Sequence, residues 1–146
     1  MKIRYFVALF AIGVAVLILT GRGKRPSVPG GGGKISWLTD LPPALAKAKE
    51  TGRPIMIDFY ADWCGPCKML DAETYSDDRV AQASTNLIMV RIDVDQNQLL
   101  SGQYRVESIP TIVVLNPEGT EINRAVGFMG VGPMLKMIER ATVKKN

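Results

Sequence analysis

The sequence predicts an α/β fold with a central mixed β-sheet flanked by helices on both faces. Two nearly continuous apolar runs, typical of strands buried on both sides, are each followed by a helical pattern, which indicates parallel strands with helical crossovers. Two further strand patterns joined by a turn predict an antiparallel pair at the edge of that sheet. A chain of 146 residues accommodates one such domain of about 110 residues behind a short N-terminal segment.

Each predicted helix and strand is supported by its own residue pattern. The first helix begins at Pro42-Pro43, because proline is favoured in the first helical turn, with Asp40 as a candidate N-cap and Gly52 at its end. Residues 54–60 (PIMIDFY) form the first buried strand, and Gly65-Pro66 separates it from the next helix. The later helices are predicted at residues 68–74, 76–83, 98–104 and 131–142, and the later strands at residues 87–94, 111–115 and 121–126.

The last two strands are joined by Asn116-Pro117-Glu118-Gly119. Proline in the second position and glycine in the fourth are typical of a type I turn, so these strands are predicted to form a hairpin. The expected order is therefore helix, strand, helix, strand, helix, and then a hairpin and a closing helix.

The N-terminal segment differs in composition from the remainder of the chain. Residues 1–34 carry 6 of the 18 Lys and Arg residues and no acid, which leaves 12 cations and all 14 acids for the folded region. Residues 1–21 contain an uncharged apolar run behind basic residues, which predicts a signal anchor that contacts the membrane, with a cleaved signal peptide as the alternative. Residues 22–35 are a basic, then Pro/Gly-rich linker, and residues 36–146 form the domain. Since the net charge of +4 arises from the leader, it does not indicate a nucleic-acid partner.

The available chemistry is narrow, because the chain has no histidine and only two cysteines. This composition excludes Ser-His-Asp and Cys-His nucleophilic sites, histidine-ligated metals, and zinc or iron–sulfur sites with four cysteines from one chain. We therefore expect no metal and no cofactor, the redox group being a Cys64–Cys67 disulfide.

Cys64-Gly65-Pro66-Cys67 lies where a buried strand gives way to a helix. Gly65 allows the tight turn and Pro66 suits the first helical turn, so Cys64 is placed at the helix N-terminus, where free N–H groups favour its thiolate. Cys67 follows three residues later on the same helix face and is more enclosed. The spacing predicts that Cys64 attacks and Cys67 resolves the mixed disulfide. A structural disulfide and a metal half-site shared by two chains are the alternatives.

Two stretches resemble the thioredoxin family. Residues 58–68 (DFYADWCGPCK) resemble the thioredoxin active-site signature, and residues 108–111 (SIPT) resemble the loop that carries a cis-proline opposite the cysteines. Residues 73–77 (ETYSD) and 126–129 (VGFM) are similar to the C-terminal periplasmic domain of the thiol:disulfide interchange protein DsbD, although the Gly-Pro pair between the cysteines is that of thioredoxin itself. The resemblance spans residues 37–141 and implies the thioredoxin fold.

The resemblance also implies site residues. Asp58 matches a buried family carboxylate that transfers a proton at the resolving cysteine, whereas an acid at a strand end that reaches water is the alternative. Pro110 is expected to be cis and to present the backbone around Ile109 to an extended substrate. Arg91 lies where thioredoxin has a lysine near the buried acid. The substrate-binding residues are expected to be Trp63, Gly65, Pro66, Ile109 and Pro110.

The function implied is that of a membrane-anchored thiol:disulfide oxidoreductase that reduces protein disulfides on the periplasmic or other extracytoplasmic side. Such a reductant needs electrons from across the membrane, which implies a DsbD-like or CcdA-like transmembrane donor; cytochrome c biogenesis is one candidate pathway. A disulfide donor acting as oxidase or isomerase, and a non-catalytic thioredoxin-like binding module, are the alternatives. A secreted periplasmic form after signal cleavage is the alternative location.

Overall fold

A five-stranded sheet forms the centre of the domain in a computed structural model that describes residues 35–143. The strands are β1 (Trp37–Leu38), β2 (Ile55–Tyr60), β3 (Ile88–Asp93), β4 (Thr111–Leu115) and β5 (Glu121–Val126). The helices are α1 (Leu41–Thr51), α2 (Gly65–Met69), α3 (Asp78–Ser84), α4 (Gln98–Gln103) and α5 (Val131–Thr142), with a π-helical segment, Leu70–Tyr75, directly after α2. The predicted signal anchor or signal peptide and the linker as far as residue 34 lie outside the described residues.

The strand order is β1-β3-β2-β4-β5, which confirms the predicted mixed sheet. β1 and β2 both pair with β3 in parallel, whereas β4 pairs antiparallel with β2 and with β5. The register of the parallel pair sets Asp58 of β2 opposite Arg91 of β3. This register brings together two charged residues that are far apart in the sequence.

The two faces of the sheet carry separate apolar cores. On β2, Ile55, Ile57 and Phe59 pack toward α1 and α4, while Met56 packs toward the π-helical segment, α3 and α5. This alternation is the period of two expected for a strand covered on both sides. Asp58 follows the same alternation, so its carboxyl lies on the face of Met56 and is covered by the π-helical segment.

Three local details differ from the predictions. Strand β1 was not predicted, because two residues are too few to show a strand pattern. The helix predicted at residues 68–74 begins earlier, at Gly65, and changes to π-helical geometry from Leu70. Asp40 occupies the N-cap position of α1, but its side chain makes no capping hydrogen bond.

Within residues 35–143, none of the helices has the length and apolar character needed to cross a membrane.

Candidate active site

Cys64 and Cys67 form a disulfide at the N-terminus of α2, with their Cα atoms 5.3 Å apart. Cys64 is the N-cap residue, and its Sγ accepts a hydrogen bond of 3.2 Å from the Cys67 backbone N–H. Gly65 and Pro66 are the first two helical residues, as the motif requires. When the disulfide is reduced, the same N–H is placed to stabilise a thiolate on Cys64.

The disulfide is enclosed, with 3% of Cys64 and 2% of Cys67 exposed. Ala61 completes this small cluster, and Tyr60 and Ile109 pack against it. The Ile109–Pro110 peptide bond is cis, the conformation that the resemblance implies. The structure thus brings the predicted proline loop against the cysteines.

Trp63 lies at the surface beside the cysteines, with 69% of the residue exposed. Its indole Nε1–H donates a hydrogen bond of 2.8 Å to the Asp95 carboxylate, which holds the ring in place. An exposed, oriented indole offers apolar area to a docking partner at little cost in conformational entropy. Packing within the core therefore does not explain the position of Trp63 at the surface.

A second exposed aromatic follows the edge strand. Phe128 is 42% exposed, and the backbone N–H of the preceding Gly127 donates a hydrogen bond of 2.7 Å to the Pro110 carbonyl. Thr74 donates its hydroxyl to the Met129 carbonyl at 2.7 Å. These two hydrogen bonds connect the loop of residues 127–130 to the proline loop and to the π-helical segment.

Asp58 is fully buried, so the alternative of a strand-end acid that reaches water is wrong. Its Oδ2 lies 3.3 Å from Nε of Arg91, which is an ion-pair distance. The Arg91 Nε–H is not oriented to donate a hydrogen bond to this oxygen. Burial raises the pKa of Asp58 from 3.8 to about 7, against the opposing effect of the Arg91 charge and with a further increase from Asp71. A carboxyl with this pKa exchanges its proton near neutral pH, as a general acid–base group must.

Arg91 joins two carboxylates, which the sequence did not reveal. Its Nη2 lies 2.8 Å from Oδ1 of Asp71 in the π-helical segment, while its Nε faces Asp58. Its guanidinium carbon lies 4.2 Å from the centre of the Tyr60 ring. The resemblance pointed to position 91, but only the register of β2 with β3 shows what the side chain contacts.

Tyr75 completes the buried polar group. Its side chain packs edge-on against Trp37, with ring centres 5.0 Å apart, and its hydroxyl has no hydrogen-bond partner within the part of the chain that the structure describes. Burial, and next the nearby Asp58 charge, raise the pKa of Tyr75 well above its usual value. The hydroxyl therefore stays protonated and neutral at physiological pH.

No group of three or more His, Cys, Asp or Glu side chains among residues 35–143 is arranged to hold a metal ion. The reactive groups described in this site are the two cysteines, one buried carboxyl and the charges around it.

The model of a family described as thioredoxin-like matches residues 36–117. The chain belongs to the thioredoxin-like family. DsbD of Vibrio vulnificus, a thiol:disulfide interchange protein, is 37% identical over 114 residues, which are 73% of this chain and 19% of the relative. The chain therefore spans about a fifth of the length of the curated relatives it matches.

Solved thioredoxin-like structures agree with this assignment. The C-terminal domain of Neisseria meningitidis DsbD in its oxidised form is 27% identical with a TM-score of 0.61, and the match covers 73% of this chain and 99% of that domain. A thioredoxin from Thermus thermophilus is 29% identical with a TM-score of 0.68, covering 76% of this chain and 89% of that protein. The similarity to both the DsbD domain and thioredoxin, expected from the motifs, is confirmed.

Proposed function

We propose that this thiol:disulfide oxidoreductase reduces protein disulfides outside the cytoplasm through a dithiol–disulfide cycle of Cys64 and Cys67. The observation that carries the proposal is the Cys64–Cys67 disulfide, which caps α2 and packs against the Ile109–Pro110 loop. The disulfide is the only redox group in the proposed cycle, which uses no separate cofactor.

The reaction begins with the reduced protein. The Cys64 thiolate attacks one sulfur of a substrate disulfide, forming a mixed disulfide and releasing the first substrate thiolate. Cys67 gives its thiol proton to Asp58 and attacks the Cys64 sulfur, which releases the second substrate thiolate and forms the Cys64–Cys67 disulfide. Two electrons pass to the substrate, and an external dithiol must return two electrons before the next cycle.

The substrate is proposed to be an extended protein segment. It would pair with the backbone around Ile109, as strands do in a sheet, and cover the exposed ring of Trp63. Gly65 and Pro66 lie between the two cysteines, where a substrate that reaches Cys64 passes over them. The same arrangement suits many sequences, because backbone pairing does not depend on side-chain identity.

The electron donor is proposed to be a DsbD-like or CcdA-like membrane protein, with the domain anchored at the extracytoplasmic face by residues 1–21. The names of the relatives and the basic, apolar leader support this placement. A periplasmic protein released by signal cleavage is the alternative, and cytochrome c biogenesis is one pathway that uses such a reductant.

Cysteine variants test the mechanism. Cys67→Ser is expected to accumulate a mixed disulfide between Cys64 and substrate, visible on non-reducing gels, whereas Cys64→Ser is expected to lose turnover and trapping together. Both variants should fold, because a disulfide that closes a four-residue loop constrains the unfolded chain little. Full turnover by Cys64→Ser would refute the mechanism, and undiminished substrate binding by the double variant would favour a binding module.

The reduction potential tests the direction. The Gly-Pro pair between the cysteines predicts a value near that of thioredoxin, about −270 mV, measured by equilibration with dithiothreitol redox buffers. A value of about −120 mV would make the protein a disulfide donor and refute the proposed direction.

A further inference from the structure

The residue that follows the last turn of α4 has a left-handed backbone conformation. Arg105 has φ 51°, the single positive value among residues 35–143 other than glycine. Its N–H donates a hydrogen bond of 3.0 Å to the Gly102 carbonyl, and the Val106 N–H donates one of 2.9 Å to the Ser101 carbonyl. Many helices end with this pair of hydrogen bonds, and glycine is the usual residue at the left-handed position. Because a side chain is strained there, glycine at position 105 would end α4 with less strain.

A cavity of about 630 Å³ lies beside this turn. It is lined by residues of β4 and β5, among them the paired residues Thr111 and Val126, and by residues that follow α4, among them Arg105 and Ser108. Ser108 and Thr111 directly flank the Ile109–Pro110 loop. The cavity therefore borders the backbone with which an extended substrate segment is proposed to pair.

The charges on the β5 side of the cavity meet at Glu121. The Arg124 side chain donates to both Glu121 carboxylate oxygens, from Nε at 2.8 Å and from Nη2 at 2.7 Å. The same Nη2 donates to the Tyr104 carbonyl at 2.9 Å, which ties β5 to the end of α4. The hydrogen bond from Arg124 is the main cause that lowers the pKa of Glu121, and the charge of Arg105 lowers it further. Two arginines thus lie near one carboxylate, and Arg124 already occupies both of its oxygens.

Arg105, in contrast, is not bound to any carboxylate of its own domain. The residue is exposed and forms no ion pair with any other of residues 35–143. Glu107, the other acid that lines the cavity, is exposed and is likewise not in an ion pair there. A guanidinium binds a carboxylate through two parallel hydrogen bonds. A strained backbone position is a reason to look for a function of the side chain it carries, and here the free group is a guanidinium at the edge of the cavity.

We propose that Arg105 is a specificity-determining residue: the cavity receives an aspartate or glutamate side chain of the protein substrate, and Arg105 binds its carboxylate. This inference rests on the proposed function, in which a substrate segment pairs with the backbone around Ile109. An extended segment advances about 3.3 Å per residue, so the acidic residue is expected within about five positions of the substrate cysteine. Glu107 repels the same carboxylate and weakens the preference.

The direct test measures binding to the oxidised protein and needs no turnover. Each peptide has serine in place of its cysteine and one glutamate, which is moved through about five positions on either side. Affinities are measured by NMR titration and compared with those of the matching glutamine peptides. At one or two positions the glutamate peptide should bind about two- to five-fold more tightly, as expected for a partly exposed ion pair. Equal affinities at every position would overturn the proposal.

Substitutions of Arg105 separate its charge from its strain. Arg105→Ala removes the guanidinium and keeps a side chain at the left-handed position, so the preference for glutamate should disappear. Arg140→Ala removes another exposed arginine, in α5, and as the matched control should keep the preference. A preference that survives in Arg105→Ala would overturn the proposal.

Arg105→Gly adds a measurement that a merely structural arginine would not satisfy. This variant should lose the preference for glutamate, yet its urea unfolding midpoint should equal or exceed that of the wild type, because the strain is relieved. A lower midpoint with an unchanged preference would show that the side chain only stabilises the end of α4, and would overturn the proposal.

Turnover is measured separately with the reduced protein and disulfide peptides that carry glutamate or glutamine at the best position. The ratio of their kcat/KM values should match the binding ratio in the wild type and be lost in Arg105→Ala. Glu107→Gln should increase this ratio because it removes the repelling charge, and a decrease would overturn the proposal. If the glutamate peptide binds more tightly but no peptide is reduced, the proposed function is refuted and the specificity of the cavity stands.

Discussion

The buried carboxyl of Asp58 makes the stability of the oxidised protein depend on pH. Its pKa is about 7 in the folded protein, whereas the ordinary pKa of an aspartate is 3.8. At a pH between these two values, the folded state binds a proton that the unfolded state has lost. Stability must therefore fall as pH rises through this window. Between pH 5 and pH 8 the free energy of unfolding is expected to fall by about 3 kcal/mol. This estimate takes about 1.4 kcal/mol for each pH unit from pH 5 up to the folded pKa.

Asp58→Asn removes this dependence, because an amide does not titrate. The free energy of unfolding, measured by urea titration with the disulfide intact, should lose about 3 kcal/mol between pH 5 and pH 8 in the wild type and remain nearly level in the variant. Comparing the change with pH, rather than the absolute values, cancels the cost of fitting asparagine into the site.

Asp77→Asn is the matched control. Hydrogen bonds from Arg79 hold the pKa of Asp77 at about 2, so it titrates below this range and its variant should keep the wild-type slope. If Asp58→Asn also kept the wild-type slope between pH 5 and pH 8, Asp58 would not carry the raised pKa, and the reasoning about its burial would be refuted.

Three other substitutions test the surroundings of the site. Phe128→Ser should raise the KM for a protein disulfide about five-fold, as expected for about 1 kcal/mol of lost apolar contact. Ile122→Ser, at another exposed apolar position, should leave the KM unchanged. Equal effects of the two substitutions would exclude a specific docking role for Phe128. Thr74→Val should lower the free energy of unfolding by about 1–3 kcal/mol, since the Met129 carbonyl loses its donor; no loss in urea titrations would contradict this hydrogen bond. Asp77→Ala should cost about 1 kcal/mol in the same assay, because the N-cap of α3 is lost, and a stabilised variant would contradict that cap.

Most of the elements could be predicted because their signals are local. The buried run of β2, the Gly65-Pro66 break and the turn before β5 each act over a few residues, and the structure places these elements where expected. The start of α2 and its change to a π-helix were not predicted, since the sequence alone does not separate a π-helical turn from an α-helical one. β1 was missed for another reason: its two residues form a strand only because β3 lies beside them.

The candidate site likewise contains residues that a local pattern identifies and contacts that no local pattern shows. Cys64 and Cys67 were identified from four consecutive residues, and the absence of histidine left few other chemistries for the chain. The relation of Arg91 to Asp58 and Asp71 joins residues 33 and 20 positions apart, and no short-range pattern encodes it. It exists because β2 and β3 adopt one register and the π-helical segment covers their shared face.

The sequence by itself thus determined where the thiols lie and predicted how they react, because the N-terminus of a helix, its glycine–proline turn and the cysteine spacing are all local features. Only the tertiary structure decided what surrounds the buried acid. Strand register and helix packing bury Asp58 and select one arginine and one surface carboxylate as its neighbours, and burial together with those neighbours decides when Asp58 carries a charge.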